Sequence, residues 1–217
     1  MNKSHLMGAV FSCLFTANAT HVHAVGVFYT DETAFNSATS GISLSLEGFE
    51  TSFTTGSTVN FSNFSVSSNN ASDLESKIGD SPDTSHPATE GLRLLQYSTT
   101  TQAGGVTFNF SAPINAFSVD IIDPLDGAAF DDYLSLSNSN GDSQVLLTGS
   151  QPNNDIYFAG ITDSTQPFNS VTIFSTKVPG DAISLDRVQF NVVPIPPALW
   201  LFGSGILGLI GMARRKS

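Results

Sequence analysis

From Leu92 onward this chain alternates apolar and polar residues in short runs, and turn residues interrupt each run before a helical stripe can develop. Val106, Phe108 and Phe110 share one phase, as do Phe117, Val119 and Ile121. A period of two sends successive side chains to opposite faces of a strand, so each run buries one face and wets the other. Such runs lie at 92–97, 106–110, 116–122, 133–137, 144–147, 156–160, 170–175 and 183–193. Between two of them, Asn138-Ser139-Asn140-Gly141-Asp142 spells a hairpin turn, because Asn140 and Gly141 readily take positive φ. Together with runs near 42–46, 59–62 and 64–66, roughly ten short strands imply an all-β sandwich.

The segment ahead of these strands is more varied. Thr30-Asp31-Glu32-Thr33 caps a short helix with Ala34, Phe35 and Ala38 on its apolar side, and its acids sit where the helix dipole favours them. Asn69 to Pro87 is polar and turn-rich, and reads as a long loop with a turn of helix at 72–78. The chain has 17 phenylalanines, mostly on the inward phase, and these are assigned to the core. No internal repeat stands out.

The two ends differ in kind from the middle. Met1 to Ala24 has the pattern of a secretory signal peptide: Lys3, an apolar run from Leu6 to Ala17, and small residues at Val22 and Ala24 before the cut. Ala17-Asn18-Ala19 is an alternative cut. The single cysteine, Cys13, falls inside this segment; bulky Phe11 spoils a lipidation signal, and the mature chain is left without any disulfide. At the other end, Ala198 to Ala213 run without a charge, and Arg214, Arg215 and Lys216 follow. No polar face interrupts 198–213, so a single transmembrane helix is expected there, not a core helix. At 1.5 Å per residue it reaches about 24 Å, short of the ~30 Å hydrocarbon core. The basic triplet stops it on the cytoplasmic side. Val193-Pro194-Ile195-Pro196-Pro197 precedes it, an extended stretch because proline fixes φ.

This order of proline motif, short span and basic cluster resembles the PEP-CTERM class of sorting signals in its Val-Pro-Leu-Pro-Ala-like variant. Here Ile195 stands for the usual Leu and Pro197 for the usual Ala. The resemblance implies recognition by an exosortase-type membrane transpeptidase of a Gram-negative bacterium, delivery to the cell surface or extracellular matrix, and a setting of exopolysaccharide and biofilm. The expected organisation is a signal peptide at 1–24, an ectodomain at 25–192 and a sorting signal at 193–217.

Charge bounds the partners. All 19 acidic residues lie between 25 and 193, against Lys77, Arg93, Lys177 and Arg187, so that segment carries a net −15. Nucleic acid and anionic lipid are poor partners for such a field, and divalent cations are good ones. His86 is the lone mature histidine, in a Pro-flanked loop with no serine motif beside it, so a nucleophilic triad is not expected. Asp120, Asp123 and Asp126, followed by Asp131 and Asp132, offer hard oxygens suited to Ca2+, although Asp123-Pro124 and Asp126-Gly127 are also plain turn signals. Tryptophan is missing from the ectodomain, leaving Tyr29, Tyr97, Tyr133 and Tyr157 for stacking on sugars.

Leu46-Glu47-Gly48-Phe49-Glu50, with a closing Ile183-Ser184-Leu185-Asp186-Arg187-Val188-Gln189-Phe190, looks like secreted jelly rolls of the carbohydrate-binding-module type. That resemblance implies a jelly-roll-like β-sandwich with a structural Ca2+, carried over onto Glu50 and Asp186; Arg187 stands where many relatives have a second acid. The expected function is a non-enzymatic, exported matrix protein, with a glycan-binding module or polysaccharide-acting enzyme as the alternative.

Overall fold

The computed structural model describes residues 25–79, 87–99, 102–153, 155–178 and 181–193. The signal peptide with Cys13, His86, the motif residues Pro194, Ile195, Pro196 and Pro197, the apolar 198–213 stretch, and Arg214, Arg215 and Lys216 lie outside the described residues. Among the described residues no helix is long and apolar enough to cross a membrane.

In chain order the elements are β1 (Val27–Tyr29), α1 (Glu32–Ala38), β2 (Ser45–Glu47), β3 (Thr58–Asn60), β4 (Phe64–Asn69), β5 (Glu75–Ile78), β6 (Arg93–Ser98) and β7 (Gly104–Ile114). There follow β8 (Ala116–Ile122), β9 (Tyr133–Asn138), β10 (Ser143–Thr148), β11 (Ile156–Thr162), β12 (Phe168–Ser175) and β13 (Ala182–Phe190). They form two antiparallel sheets packed as a sandwich. One has the order β1-β11-β8-β13-β6-β5 with β2 also on β13, and the other the order β10-β9-β12-β7-β4-β3. From β6 onward the chain crosses repeatedly between the layers, the connectivity of a jelly roll.

Between the layers the phenylalanines interlock. Phe64 lies within 6 Å of Phe61, Phe108, Phe110 and Phe190, and Phe117 touches Phe108 and Phe110. Edge-to-face and tilted contacts of this kind add to the area term. Three expectations need correcting. Residues 75–78 form a strand, not a helical turn, because β6 offers an open edge and Glu75 to Ile78 pair along it. Only Phe35 of the apolar side of α1 is buried; Ala34 and Ala38 face solvent. The 42–46 run shortens to β2 and leaves Leu46 half exposed, since β2 pairs only with the end of β13.

The last strand is the pivot. β13 pairs with β8 on one side from Ser184 to Phe190, and on the other with β6 through Leu185 and then with β2 from Val188. At the changeover the register with β8 slips between Asp186 and Gln189, and Arg187 takes a left-handed φ of 48°. That bulge directs the Arg187 side chain across β8, where it grips Asp120 through two bonds of 2.8 and 2.9 Å. Its remaining donors reach Glu32 at the start of α1, at 2.5 and 3.0 Å. The hydrogen bonds from Arg187 hold the Glu32 carboxyl below its ordinary range, and those to Asp120 and Glu32 push the guanidinium up. Asp31 caps the helix by accepting from Ala34 N at 2.8 Å, and Phe35 seats the helix against Tyr29 and Phe158.

Asp120 is 3% exposed, so removing its partner strands a buried charge. Arg187→Met should lower unfolding free energy by about 3 kcal/mol, and adding Asp120→Asn should recover more than half of it. Urea melts of the two variants and the parent chain check this.

Candidate functional site

The two positions carried over as calcium ligands do come together, on a loop. Phe49 sits in the core with φ of 57°, held by Glu47, whose Oε1 accepts from Phe49 N at 2.9 Å. That turn aims Glu50 at residues 91–93, where its Oε1 accepts from Leu92 N and Arg93 N at 2.9 and 3.0 Å. Gly91, at φ of 61°, lies against the same carboxylate, and any Cβ there would collide with it. From the other side, Asp186 Oδ2 accepts from Thr89 N and Glu90 N at 2.7 and 2.8 Å, while its Oδ1 accepts from Arg187 N at 2.7 Å. Residues 89–93 thus form an N–H-lined concavity that takes two carboxylates as its anions. A cation on those oxygens would face the positive ends of the same dipoles. Among the described residues no group of three or more His, Cys, Asp or Glu is gathered to hold a metal.

Two of the aspartates at 120–132, Asp120 and Asp132, are likewise matched by the chain's own donors. Asp120 belongs to Arg187, and Asp132 Oδ2 accepts from Ala129 N at 2.8 Å. Asp123 is buried with φ of 57°, its N–H donating to Asp155 O at 2.9 Å. Asp126 is exposed, and its carbonyl receives the Lys177 ammonium, which also binds Asp181 Oδ1 at 3.0 Å. Asp181 Oδ2 accepts from Leu125 N at 2.8 Å and so ties down the loop. Asp131 is exposed.

What sequence reasoning missed is where the charge is absent. None of the residues in the six strands of the β10-β9-β12-β7-β4-β3 sheet is charged, whereas Glu47, Glu75, Lys77, Arg93, Asp120, Asp186 and Arg187 all lie on strands of the other sheet. The outer face is a grid of hydroxyls and amides. One row runs Thr58, Ser67, Thr107, Thr172, Ser137 and Ser143 across all six strands. A parallel row sets Asn60, Ser65 and Asn109 side by side. Neighbours bond within the grid: Thr58 Oγ1 to Ser67 Oγ at 3.2 Å, Thr107 to Thr172 at 2.8 Å, and Asn69 Nδ2 to Thr107 Oγ1 at 2.5 Å. Phe174 and Tyr133 are half-buried on the same face, one register step apart on β12 and β9. Phe130, in the loop that leads into β9, is 96% exposed. Of the other tyrosines Tyr97 is buried, Tyr29 bonds Thr162, and Tyr157 bonds Gln151 and Asp155.

No protein-family model matches the chain, and no curated protein matches it. Among solved structures it is similar to the K2 cleaved adhesin domain of Lys-gingipain, at 12% identity and a TM-score of 0.45 over 69% of this chain and 100% of that one. It is also similar to the family 11 carbohydrate-binding module of cellulase Lic26A-Cel5E from Clostridium thermocellum, at 11% identity and a TM-score of 0.39 over 70% and 96%. A third similar structure is TmCBM61 in complex with β-1,4-galactotriose, at 15% identity and a TM-score of 0.40 over 66% and 94%.

Two outcomes follow from the carboxylate clasp. Chelator added to the purified chain should leave its Tm unchanged to within about a degree, because main-chain donors already hold Glu50 Oε1 and both Asp186 oxygens. Burial pushes the Asp186 carboxyl up to about 6. A carboxyl raised in the folded state stabilises fully below its unfolded value, about 4, and that contribution is lost as pH rises through about 6. Asp186→Asn removes it, so the Tm deficit of the variant against the parent should shrink between pH 4.5 and 7.5 in paired melts.

Proposed function

We propose that this chain is an exported, non-enzymatic β-sandwich that attaches to neutral polysaccharide outside the cell through the outer face of its six-stranded sheet. The observation that carries the reading is the lack of any charged strand residue in that sheet, in a segment of net −15. Solubility alone would favour Asp, Glu and Lys on an exposed strand. Hydroxyls and carboxamides each donate and accept, which matches the hydroxyls of a neutral glycan and leaves no ion pair for an anionic one. Phe174 and Tyr133 add apolar surface for the C–H face of a sugar ring.

The ends supply delivery. Residues 1–24 direct export, and Val193 to Pro197 with the 198–213 stretch and Arg214, Arg215 and Lys216 form the signal that an exosortase-type transpeptidase sorts. The chain then lodges in an exopolysaccharide-rich matrix such as a biofilm. Intact mass from the native host should show a start near Val25 and loss of the segment after the proline motif. A soluble intracellular product with both ends intact would defeat this delivery.

Affinity electrophoresis through neutral polysaccharides, including mixed-linkage β-glucan, xylan and galactan, tests the face. At least one should retard the chain, with a Kd that changes by no more than about twofold between low and high salt, since no charge pair is formed. Thr172→Glu, which buries a charge under the ligand at the centre of the grid, should weaken binding about tenfold or more. Lys77→Glu on the opposite sheet should leave it unchanged. Equal mobility of parent and Thr172→Glu in every gel would overturn the reading.

A further inference from the structure

The β3–β4 end of the uncharged face is indented. A groove of about 370 Å3 opens there between the β3–β4 turn and β7. Every residue lining it belongs to one of three copies of a single tripeptide, Asn-Phe-Ser, at 60–62, 63–65 and 109–111. The third copy is distant in sequence and reaches the other two only through the pairing of β4 with β7.

Strand alternation gives the copies a shared layout. Phe64 and Phe110 turn into the core while Ser65, Asn109 and Ser111 face outward. Phe61 is half-buried and stacks on Phe64 with ring centroids 5.0 Å apart. The walls are fixed by main-chain bonds: Ser111 N and Oγ both donate to Asn63 O at 2.9 Å, and Phe61 N donates to Phe64 O at 2.8 Å. Asn60 and Asn109 are both exposed, on either side of Ser65. Two strand spacings put their carboxamides about 10 Å apart with a hydroxyl between them.

We infer that this groove holds one pyranose unit of a neutral polysaccharide, with Asn60 and Asn109 bonding its free hydroxyls from either side and Phe61 under the ring's apolar side. The assignment rests on the function proposed above and names the subsite that selects the sugar. A carboxamide offers one acceptor and one donor in a plane, the pattern that a vicinal diol completes. Asn-Phe-Ser is also an acceptor pattern for N-linked glycosylation. Binding is favoured because Asn109 lies on an inner strand between β4 and β12, and glycans on Asn60 and Asn109 would crowd one another.

The test uses the full chain with Asn60→Ala, Asn109→Ala and Lys77→Ala in the same neutral polysaccharide gels, together with intact-mass analysis. Each Asn variant should raise Kd about five- to tenfold with Tm unchanged, and Lys77→Ala, on the opposite sheet, less than about twofold. Retardation of both Asn variants equal to the parent, with Thr172→Glu still defective, would overturn the groove and leave the face standing. A parent chain that no gel retards would remove both. A hexose mass on Asn60 or Asn109 would overturn the groove in favour of covalent modification.

Discussion

The grip of Arg187 on Asp120, with Glu32 closing over it, is the contact on which the rest depends. The described chain is strongly acidic, and its few cations are placed where several oxygens converge. Arg187 joins helix, central strand and last strand through four hydrogen bonds from one side chain. Its planar fork suits two carboxylates at once, which an ammonium could not match. Lys177 does the corresponding work for the loop after β8, bridging Asp126 and Asp181. In both places the chain carries its own counter-ion.

The same bulge that aims Arg187 one way aims Asp186 the other. Asp186 and Glu50 approach residues 89–93 from opposite sides and accept four main-chain N–H groups between them. These bonds anchor a connection that crosses the gap where β13 changes partner from β6 to β2. Charge is therefore concentrated on one layer, where it serves the architecture. The other layer is left with an uncharged outer surface, mostly short polar side chains with Phe174, Tyr133 and Val145 among them, and that division makes the two sides of the sandwich chemically distinct.

Much of the fold was legible. Period-two alternation located nearly every strand from β6 onward, and Asp31 before Phe35 marked the helix. β1 and β5 escaped because both are short edge strands whose partners, β11 and β6, lie far away or beyond a polar loop. Glu50 and Asp186 were singled out as calcium ligands by resemblance; that both accept from the main chain of 89–93 depends on the turn at Phe49 and the bulge at Arg187, which residue type alone does not reveal. The uncharged face was visible in principle, since alternate residues of β4, β7, β9 and β12 are Ser, Thr and Asn. Its meaning depends on strand order, which sets residues from opposite ends of the chain side by side. The three Asn-Phe-Ser copies were overlooked for the same reason: they have no fixed period, and only the pairing of β3, β4 and β7 makes them one feature.

β13 occupies the middle of its sheet although it is the last strand to be synthesised. Until Phe190 has emerged, β8 and β6 have no common neighbour, β2 has no partner, and the buried Asp120 has no cation. The sheet therefore cannot close before β13 is present. Only Asn191 and Val192 separate Phe190 from Val193, so a pull applied at the carboxyl end would be felt at the centre of the sheet and not at a fraying edge.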